Sequence, residues 1–423
     1  MEFEYDTHNK NFCIAPWVHI HAWANGDVLP CCVSRHSDEL KLGNLQDTSL
    51  ADIYNSENTK ALRLNMLDNK PSAHCARCYN DERFGFNSLR NKLNHDYLEN
   101  NRDLVEMTTA EGIVPAEEMR IVYWDMRFSN LCNMKCRSCN TVSSSKWYDD
   151  ELKLSKITGF SPPVDKFKKI RNDFSTLLEE IKPQVSNVEE IYFAGGEPLI
   201  MDEQWELLDE FIAQDKFDVR LKYQTNMSVL KYKDRDIISI WKQFPNLNIA
   251  MSLDASHGLG EYMRPGATWD TIESNIRKIK QEVPHAILQI SPTVSAYNVT
   301  EIVKFYKYVV DNEFIEKWYF SLNLLEMPAY YHISILPASI LQATKQDILE
   351  LMSTFTTPDM SNVKSQFQSL VNAIDGPSNY NTGDWYKFCK VTTALDTMRN
   401  ESVLEHLPWL QSYMKDYNDK NTQ

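Results

Sequence analysis

Three cysteines within eight residues offer this chain its most specific chemistry: Cys132, Cys136 and Cys139, in the run Cys132-Asn133-Met134-Lys135-Cys136-Arg137-Ser138-Cys139. Thiolate is the usual ligand of iron–sulfur clusters, and three thiolates can hold three irons of a cubane while leaving the fourth open. The intervals, three residues and then two, match neither the paired C-x2-C arms of a zinc ribbon nor the four-cysteine ferredoxin run. A closed zinc knuckle, or three unrelated thiols, is the plainer alternative.

A second group lies earlier. Cys13, Cys31, Cys75 and Cys78 supply four thiolates, enough to close another iron–sulfur cluster or to hold structural zinc. Cys32 beside Cys31 leaves a choice of ligand, because adjacent strand residues point to opposite faces. His19, His21, His36 and His74 are nearby, although satisfied polar or packing roles suit them better than ligation. Cys389 stands apart; a buried inert thiol suits it better than the alternatives of a hydrogen-atom donor or a ligand to an open cluster. The run Met1–Lys10 has no apolar centre of the kind a leader needs, and no stretch of eighteen apolar residues occurs. Nine cysteines in such a chain suit metal ligation better than disulfides, which implies a cytoplasmic location.

The elements that must position these thiols follow from periodicity. From Arg120 onward, short β-rich runs alternate with segments of helical spacing. The predicted strands are Ile121–Phe128, Glu190–Ala194, Arg220–Thr225, Asn248–Leu253, Ile287–Val294 and Trp318–Leu322. The predicted helices are Phe167–Ile181, Asp202–Ala213, Asp234–Phe244, Trp269–Val283 and Thr300–Asn312. Repeated strand–helix units imply parallel strands with right-handed crossovers, in an open sheet or a barrel. Asn87–Met119 reads as helix and then linker, and the chain beyond Pro337 reads as helices, chiefly Ile340–Phe355 and Ser365–Ile374.

The C-x3-C-x2-C spacing resembles the signature of radical S-adenosylmethionine (SAM) enzymes, and successive strand ends extend the resemblance over about residues 120 to 325. Gly195-Gly196-Glu197-Pro198 is similar to the family's GGEP motif. Thr225-Asn226 and Ser252-Leu253-Asp254 resemble its TNG and SLDG strand ends. Arg264 lies in Tyr262-Met263-Arg264-Pro265-Gly266, where relatives carry an arginine that pairs with the SAM carboxylate. The resemblance implies that Cys132, Cys136 and Cys139 hold a [4Fe–4S] cluster with SAM at its open iron. It also implies that Glu197 holds the SAM amino group, that Thr225, Asn226, Ser252 and Asp254 meet ribose and carboxylate, and that Thr293 lies where backbone meets adenine. Ser138 departs from the pattern, since relatives often place an aromatic there against adenine.

The spacing Cys13-x12-Gly26-x4-Cys31, with Cys75-x2-Cys78 closing, resembles the start of SPASM and twitch auxiliary-cluster domains. That spacing favours Cys31 over Cys32. Such domains usually follow the barrel, whereas this one precedes it, and four ligand positions suit the shorter twitch form.

The implied fold class is α/β: a partial (β/α)6 TIM-like radical SAM barrel over residues 120–337. A small twitch-like Fe–S module (1–90) and a helical linker (91–119) precede it, and a helical cap (338–423) follows. The implied partners are SAM, a one-electron donor such as flavodoxin or ferredoxin, and a substrate. A peptide or protein is the implied substrate class, with a small molecule such as a cyclitol or sugar second. A non-catalytic Fe–S or zinc scaffold is a third class, disfavoured by the GGEP and Arg264 matches. A net charge of −15 lacks the cationic footprint that nucleic acid requires. Lys166, Lys168, Lys169 and Arg171 form a local basic run, read as a solvated helix face. Hydrophobic residues at 43% and aromatics at 11% give ample material for a packed core.

Overall fold

Rows of residues alternating between two faces organise the sheet in the computed structural model, which describes residues 9–83, 87–376 and 382–421. All but the last two residues of Met1–Lys10 lie outside the described residues. The chain packs as two units. One comprises the described part of Met1–Asn130 with Phe167–Tyr223 and Gln243–Leu247; the other comprises Leu131–Lys166, Gln224–Lys242 and the described part of Asn248–Gln423.

In the first unit, β1 (His19–Ala22), β2 (Asp27–Leu29) and β3 (Gly43–Asn44) form an antiparallel meander. Gly26 sits in the turn between β1 and β2. β1 also pairs in parallel with β4 (Tyr123–Met126), which is followed by β5 (Glu190–Phe193) and the first four residues of β6 (Arg220–Thr225). Ile20, Trp124, Ile191 and Leu221 lie in register on one face, as do Ala22, Met126, Phe193 and Tyr223, and all are buried. The opposite face carries polar rows: His19, Tyr123, Glu190 and Arg220, then His21, Asp125, Tyr192 and Lys222. Parallel sheets are ordinarily apolar on both faces. A titratable face is therefore a departure that asks for a use.

In the second unit the β7 (Lys231–Tyr232) and β8 (Arg235–Asp236) hairpin precedes β9 (Leu247–Met251), most of which belongs here and pairs in parallel with β10 (Ile287–Ile290). β11 (Thr293–Val294) pairs with β12 (Asn323–Leu324). The fold is thus the expected α/β one, with parallel strands connected through helices in the order of a partial barrel and with helices at the carboxyl end.

Several boundaries differ from the sequence expectation, for identifiable reasons. The predicted strand Ile287–Val294 breaks at Pro292, which cannot donate to a ladder. Trp318–Leu322 contributes only a single parallel bridge, Phe320 to Ile290. The predicted helix Phe167–Ile181 begins at Phe174, where Asp173 caps it by accepting from the Ser175 N–H. Before that cap, Ile170 N–H donates to the Phe128 carbonyl. The basic run 166–171 is therefore not a helix face, and Arg171 instead pairs with Glu180 at 2.7 Å. The carboxyl-terminal helices Ala338–Ser353 and Ser361–Asp375 match expectation, and Thr382–Arg399, Val403–His406 and Leu410–Asn421 add to them. Among the described residues no helix is long and apolar enough to cross a membrane.

Candidate cluster and cofactor sites

In the second unit the loop 132–139 is fastened on several sides. Lys135 N–H donates to Pro265 O at 3.1 Å and Arg137 N–H to Met263 O at 2.8 Å, so the loop runs against Tyr262–Gly266. Gly266 has φ +138°, and a Cβ there would lie 2.9 Å from Met134 Cγ and 3.0 Å from Asn133 O, so only glycine allows this approach. Trp147 Nε1 donates to Cys136 O at 2.7 Å, and Ser144 Oγ to Met134 O at 2.6 Å. Cys132 and Cys136 are buried, with Cys139 packed against them.

Electrostatics distinguish Cys136 from Cys139. A hydrogen bond from Cys139 leads the causes that bring Cys136 down to about 7; burial opposes it and the Arg264 charge assists. The same contact with Cys136, followed by burial, pushes Cys139 up. Arg264 Nη1 lies 3.7 Å from Cys136 Sγ, while Nε and Nη2 reach the two carboxylate oxygens of Asp254 at 2.8 and 3.1 Å. Asp254 Oδ1 also accepts from the Thr293 N–H at 2.8 Å, and Asn298 Nδ2 ties the Asp254 and Thr293 carbonyls at 2.9 and 3.1 Å. Asp254, Arg264 and Thr293 therefore form one network with the cysteine loop.

Thr225 Oγ1 accepts from Met227 N–H at 3.2 Å, and Thr225 O accepts from Ser252 N–H at 2.8 Å. Asn226 Nδ2 donates to Asn133 Oδ1 at 2.9 Å, inside the cysteine loop, and Gln224 Nε2 donates to Ser252 Oγ. A cavity of about 330 Å³ opens beside Cys139, lined among others by Arg137, Trp147, Phe160 and Tyr330.

The sequence reading missed Arg137. Fully buried, it stacks over Tyr262 at 3.7 Å and donates through Nη2 to Asp396 at 2.5 Å and Glu401 at 2.6 Å. Its position between two motif cysteines was the available signal. The tie to the carboxyl-terminal helices crosses about 260 residues of chain and left no trace in local pattern.

In the first unit, Gly195, Gly196, Glu197 and Pro198 follow β5 directly. Gly195 has φ +121°, and a Cβ there would meet Ser129 O at 2.9 Å. Gly196 N–H donates to that same carbonyl at 3.1 Å. Glu197 is buried and caps the turn Pro198–Ile200, accepting from Leu199 N–H.

The amino-terminal thiols converge in the same unit. Cys13 feels Cys75 and Cys78, and Cys31 feels Cys13 and Cys75. Cys32 faces a different set, Asp125, Arg127 and Arg77. Burial is the first cause that raises every one of these thiols, Cys75 to about 11 and Cys32 to about 11. Buried thiols that resist ionisation in isolation become thiolates when iron binds them, so this donor set fits a cluster. Among the described residues no three His, Cys, Asp or Glu side chains gather around a single ion. The ligands of a cubane sit on separate irons and need not do so.

The nearby histidines have other partners: His19 bonds Tyr123 O at 2.8 Å, His21 Asp125 at 2.7 Å, His36 Asp27 at 3.0 Å and His74 Ser34 at 3.0 Å. Cys389 is fully buried, and burial pushes it up to about 12.

Comparison with known proteins bears on both cysteine groups. Residues 126–309 match the model of the radical SAM superfamily, and residues 13–79 match that of SPASM, an iron–sulfur cluster-binding domain. No curated protein matches the chain. Among solved structures, anSMEcpe with bound AdoMet and Cp18Cys peptide is 16% identical, over 54% of this chain and 58% of that one, with a TM-score of 0.35. This chain thus spans little more than half the length of that protein. Streptococcus suis SuiB bound to S-adenosylmethionine is 14% identical over 79% of this chain and 68% of that one, with a TM-score of 0.36. TYW1 with a lysine-pyruvate adduct is 13% identical over 53% and 70%, with a TM-score of 0.27.

Proposed function

Because the chain carries a radical SAM domain preceded by a SPASM-type domain, with the SAM-bearing [4Fe–4S] cluster and auxiliary cluster that these domains imply, we propose that it oxidatively modifies a peptide or protein. The observation that carries this reading is the cysteine loop itself, with Cys132, Cys136 and Cys139 side by side and Arg264 at Cys136. When bound and reduced, the cluster supplies the electron that cleaves SAM to a 5′-deoxyadenosyl radical, which takes a hydrogen atom from substrate.

The chain's own residues bind and orient. Cys132, Cys136 and Cys139 ligate the first cluster. Arg264, held by Asp254, favours the thiolate of Cys136 and pairs with the SAM carboxylate. Glu197, set on the Gly195-Gly196 turn, accepts from the SAM ammonium, and Thr225, Asn226 and Ser252 meet its remaining polar groups, with Thr293 at adenine. Cys13, Cys31, Cys75 and Cys78 hold the auxiliary cluster, a one-electron donor of the flavodoxin or ferredoxin class supplies reducing equivalents, and the reaction runs in the cytoplasm, where thiols stay reduced.

The deciding experiment is anaerobic reconstitution with iron and sulfide, reduction by dithionite in the presence of SAM, and assay of iron, sulfide and 5′-deoxyadenosine. Iron in two clusters and deoxyadenosine lost in the Cys132, Cys136, Cys139 triple alanine variant are expected. Undiminished deoxyadenosine in that variant refutes the assignment. Conversion of a small alcohol or sugar, with no peptide modified, would move the substrate class to the small-molecule alternative.

A further inference from the structure

The cavity beside Cys139 lies wholly within the second unit, and none of the residues proposed to meet SAM lines it. Its volume of about 330 Å³ has room for one large side chain with its main chain, not for a folded partner. Two polar groups in its wall are incompletely met. Arg137 is fully buried there: Nε donates to Tyr262 O at 3.1 Å and Nη2 to Asp396 and Glu401. Its Nη1, also buried, has no hydrogen-bond partner among the described residues. A buried donor without an acceptor needs an explanation. Glu151 is the second group. Its Oε2 accepts from the Thr141 N–H at 2.7 Å, and among the described residues no cation pairs with the carboxylate. Lys135 and Arg399 both pair with its neighbour Asp150 instead.

The rest of the wall is largely aromatic and apolar. Arg399 covers a face of the Trp147 ring at 4.7 Å, whereas Tyr330 stacks with Phe160 at 6.0 Å and 20°. Glu151 lies near that pair: burial first, then the charges of Tyr297 and Glu151, push the Tyr330 phenol up. Phe160 and Met327 also line the cavity and are 38% and 74% exposed, large apolar side chains held in water. These features discriminate among occupants. An anion has little to gain, because Arg137 already shares its charge between two carboxylates and Glu151 repels a third. A hydrocarbon leaves both polar groups unmet. A basic residue of a peptide meets each feature: its stem lies along Phe160 and Met327, and its cation reaches an aromatic face and the Glu151 carboxylate. Its main-chain carbonyl, a neutral acceptor, takes the spare Arg137 donor.

Resting on the reading that the chain modifies a peptide or protein, we propose that this cavity seats a lysine or arginine side chain of that substrate, with its cation at Glu151 and its main-chain carbonyl at Arg137 Nη1. The pocket is an anchor, and selection for a basic residue comes from Glu151. Cys139 lines the same cavity, so the anchored residue stands beside the cysteine loop.

The probes are blocked tripeptides, acetyl-glycyl-X-glycinamide with X lysine, arginine, norleucine or glutamate, titrated by ligand-observed NMR against the anaerobically reconstituted protein with SAM present. Norleucine keeps the stem of lysine without its charge. The lysine or the arginine peptide should bind about fivefold tighter than the norleucine peptide, as expected for an ion pair at a solvent edge, and the glutamate peptide should not bind. Glu151→Gln should erase that preference while leaving the norleucine titration where it was, which also shows that the pocket is intact. Phe160→Ala, at an exposed position, should weaken the basic and norleucine peptides alike. The proposal is overturned if neither basic peptide binds saturably or if norleucine or glutamate binds as tightly as both. It is overturned equally if the preference survives in Glu151→Gln. No titration involves reduction or SAM cleavage, so failure of the radical reading shows in the deoxyadenosine assay and failure of the pocket shows only here.

Discussion

Arg264 places Nη1 3.7 Å from Cys136 Sγ and turns its other edge onto both oxygens of Asp254. One guanidinium thereby joins the tip of the β9 strand to the cysteine loop. Its charge also favours the Cys136 thiolate, behind the hydrogen bond from Cys139 that leads the causes and against the effect of burial. Arg264→Ala removes that charge and the proposed partner of the SAM carboxylate but no cysteine sulfur. Weaker SAM binding, by about tenfold to a hundredfold for a charge-assisted contact of roughly 1.5–3 kcal/mol, is expected, with iron content retained. Asp254→Asn should give a smaller loss by freeing the guanidinium to rotate. Equilibrium dialysis of SAM against the reconstituted variants checks both, and wild-type affinity in both would remove Arg264 from the site.

Arg137 should govern stability more than chemistry. Replacing it by Met keeps much of the volume over Tyr262 but leaves Asp396 and Glu401 without their shared cation, and both are mostly buried at 14% and 25% exposure. Breaking a buried ion pair by removing one partner costs about 3 kcal/mol, somewhat less where water reaches the carboxylates. A denaturation midpoint lowered accordingly, with faster loss of cluster absorbance on standing, is the expected result. The triple variant Arg137→Met, Asp396→Asn, Glu401→Gln should recover part of the loss, because no uncompensated charge remains. An unchanged midpoint in Arg137→Met alone would show that the clamp contributes nothing.

What was legible in the sequence were features with short-range signatures. The three-and-two cysteine spacing, the Gly195-Gly196 turn and the helix Asp202–Ala213 all declare themselves within a dozen residues. Strand pairing was harder. β1 is four residues long and its partner β4 lies about a hundred residues away, so neither the parallel pair nor the His21–Asp125 contact leaves a local pattern. The alternation of His19 and His21 with apolar Ile20, matched by Tyr123 and Asp125 around Trp124, was the one visible hint that two distant segments share a polar face. The split at Pro292 was legible in principle, and apolar content on both sides masked it.

His19 should make stability fall in acid. Burial leads the causes that bring its imidazole down to about 4, against an ordinary value of 6.5. Between those values the unfolded chain takes up a proton that the folded chain refuses, so stability is full above about pH 6.5 and declines as pH falls toward 4. A shift of that size amounts to about 3 kcal/mol at most. His19→Gln keeps a donor for Tyr123 O but does not titrate. Its denaturation midpoint should fall less than that of the wild type between pH 7.5 and 5, cluster loss in acid being common to both. Parallel pH profiles would show that His19 is not the group responsible.

The division of labour between the two cysteine groups is the last prediction. A Cys13, Cys75, Cys78 triple alanine variant should lose about half its iron, since two clusters of similar size are implied. It should still form deoxyadenosine slowly, because SAM cleavage needs only the cluster proposed on Cys132, Cys136 and Cys139. Substrate oxidation should stop, because the second electron has lost its acceptor. The confounder is folding: Cys13 and Cys78 are buried, and a cluster that staples a small module also stabilises it. Circular dichroism and gel filtration must show a folded protein before the iron is counted. Full iron content in that folded variant, or zinc in place of iron in the wild-type module, would make the amino-terminal domain a structural element and leave the second electron without a destination in this chain.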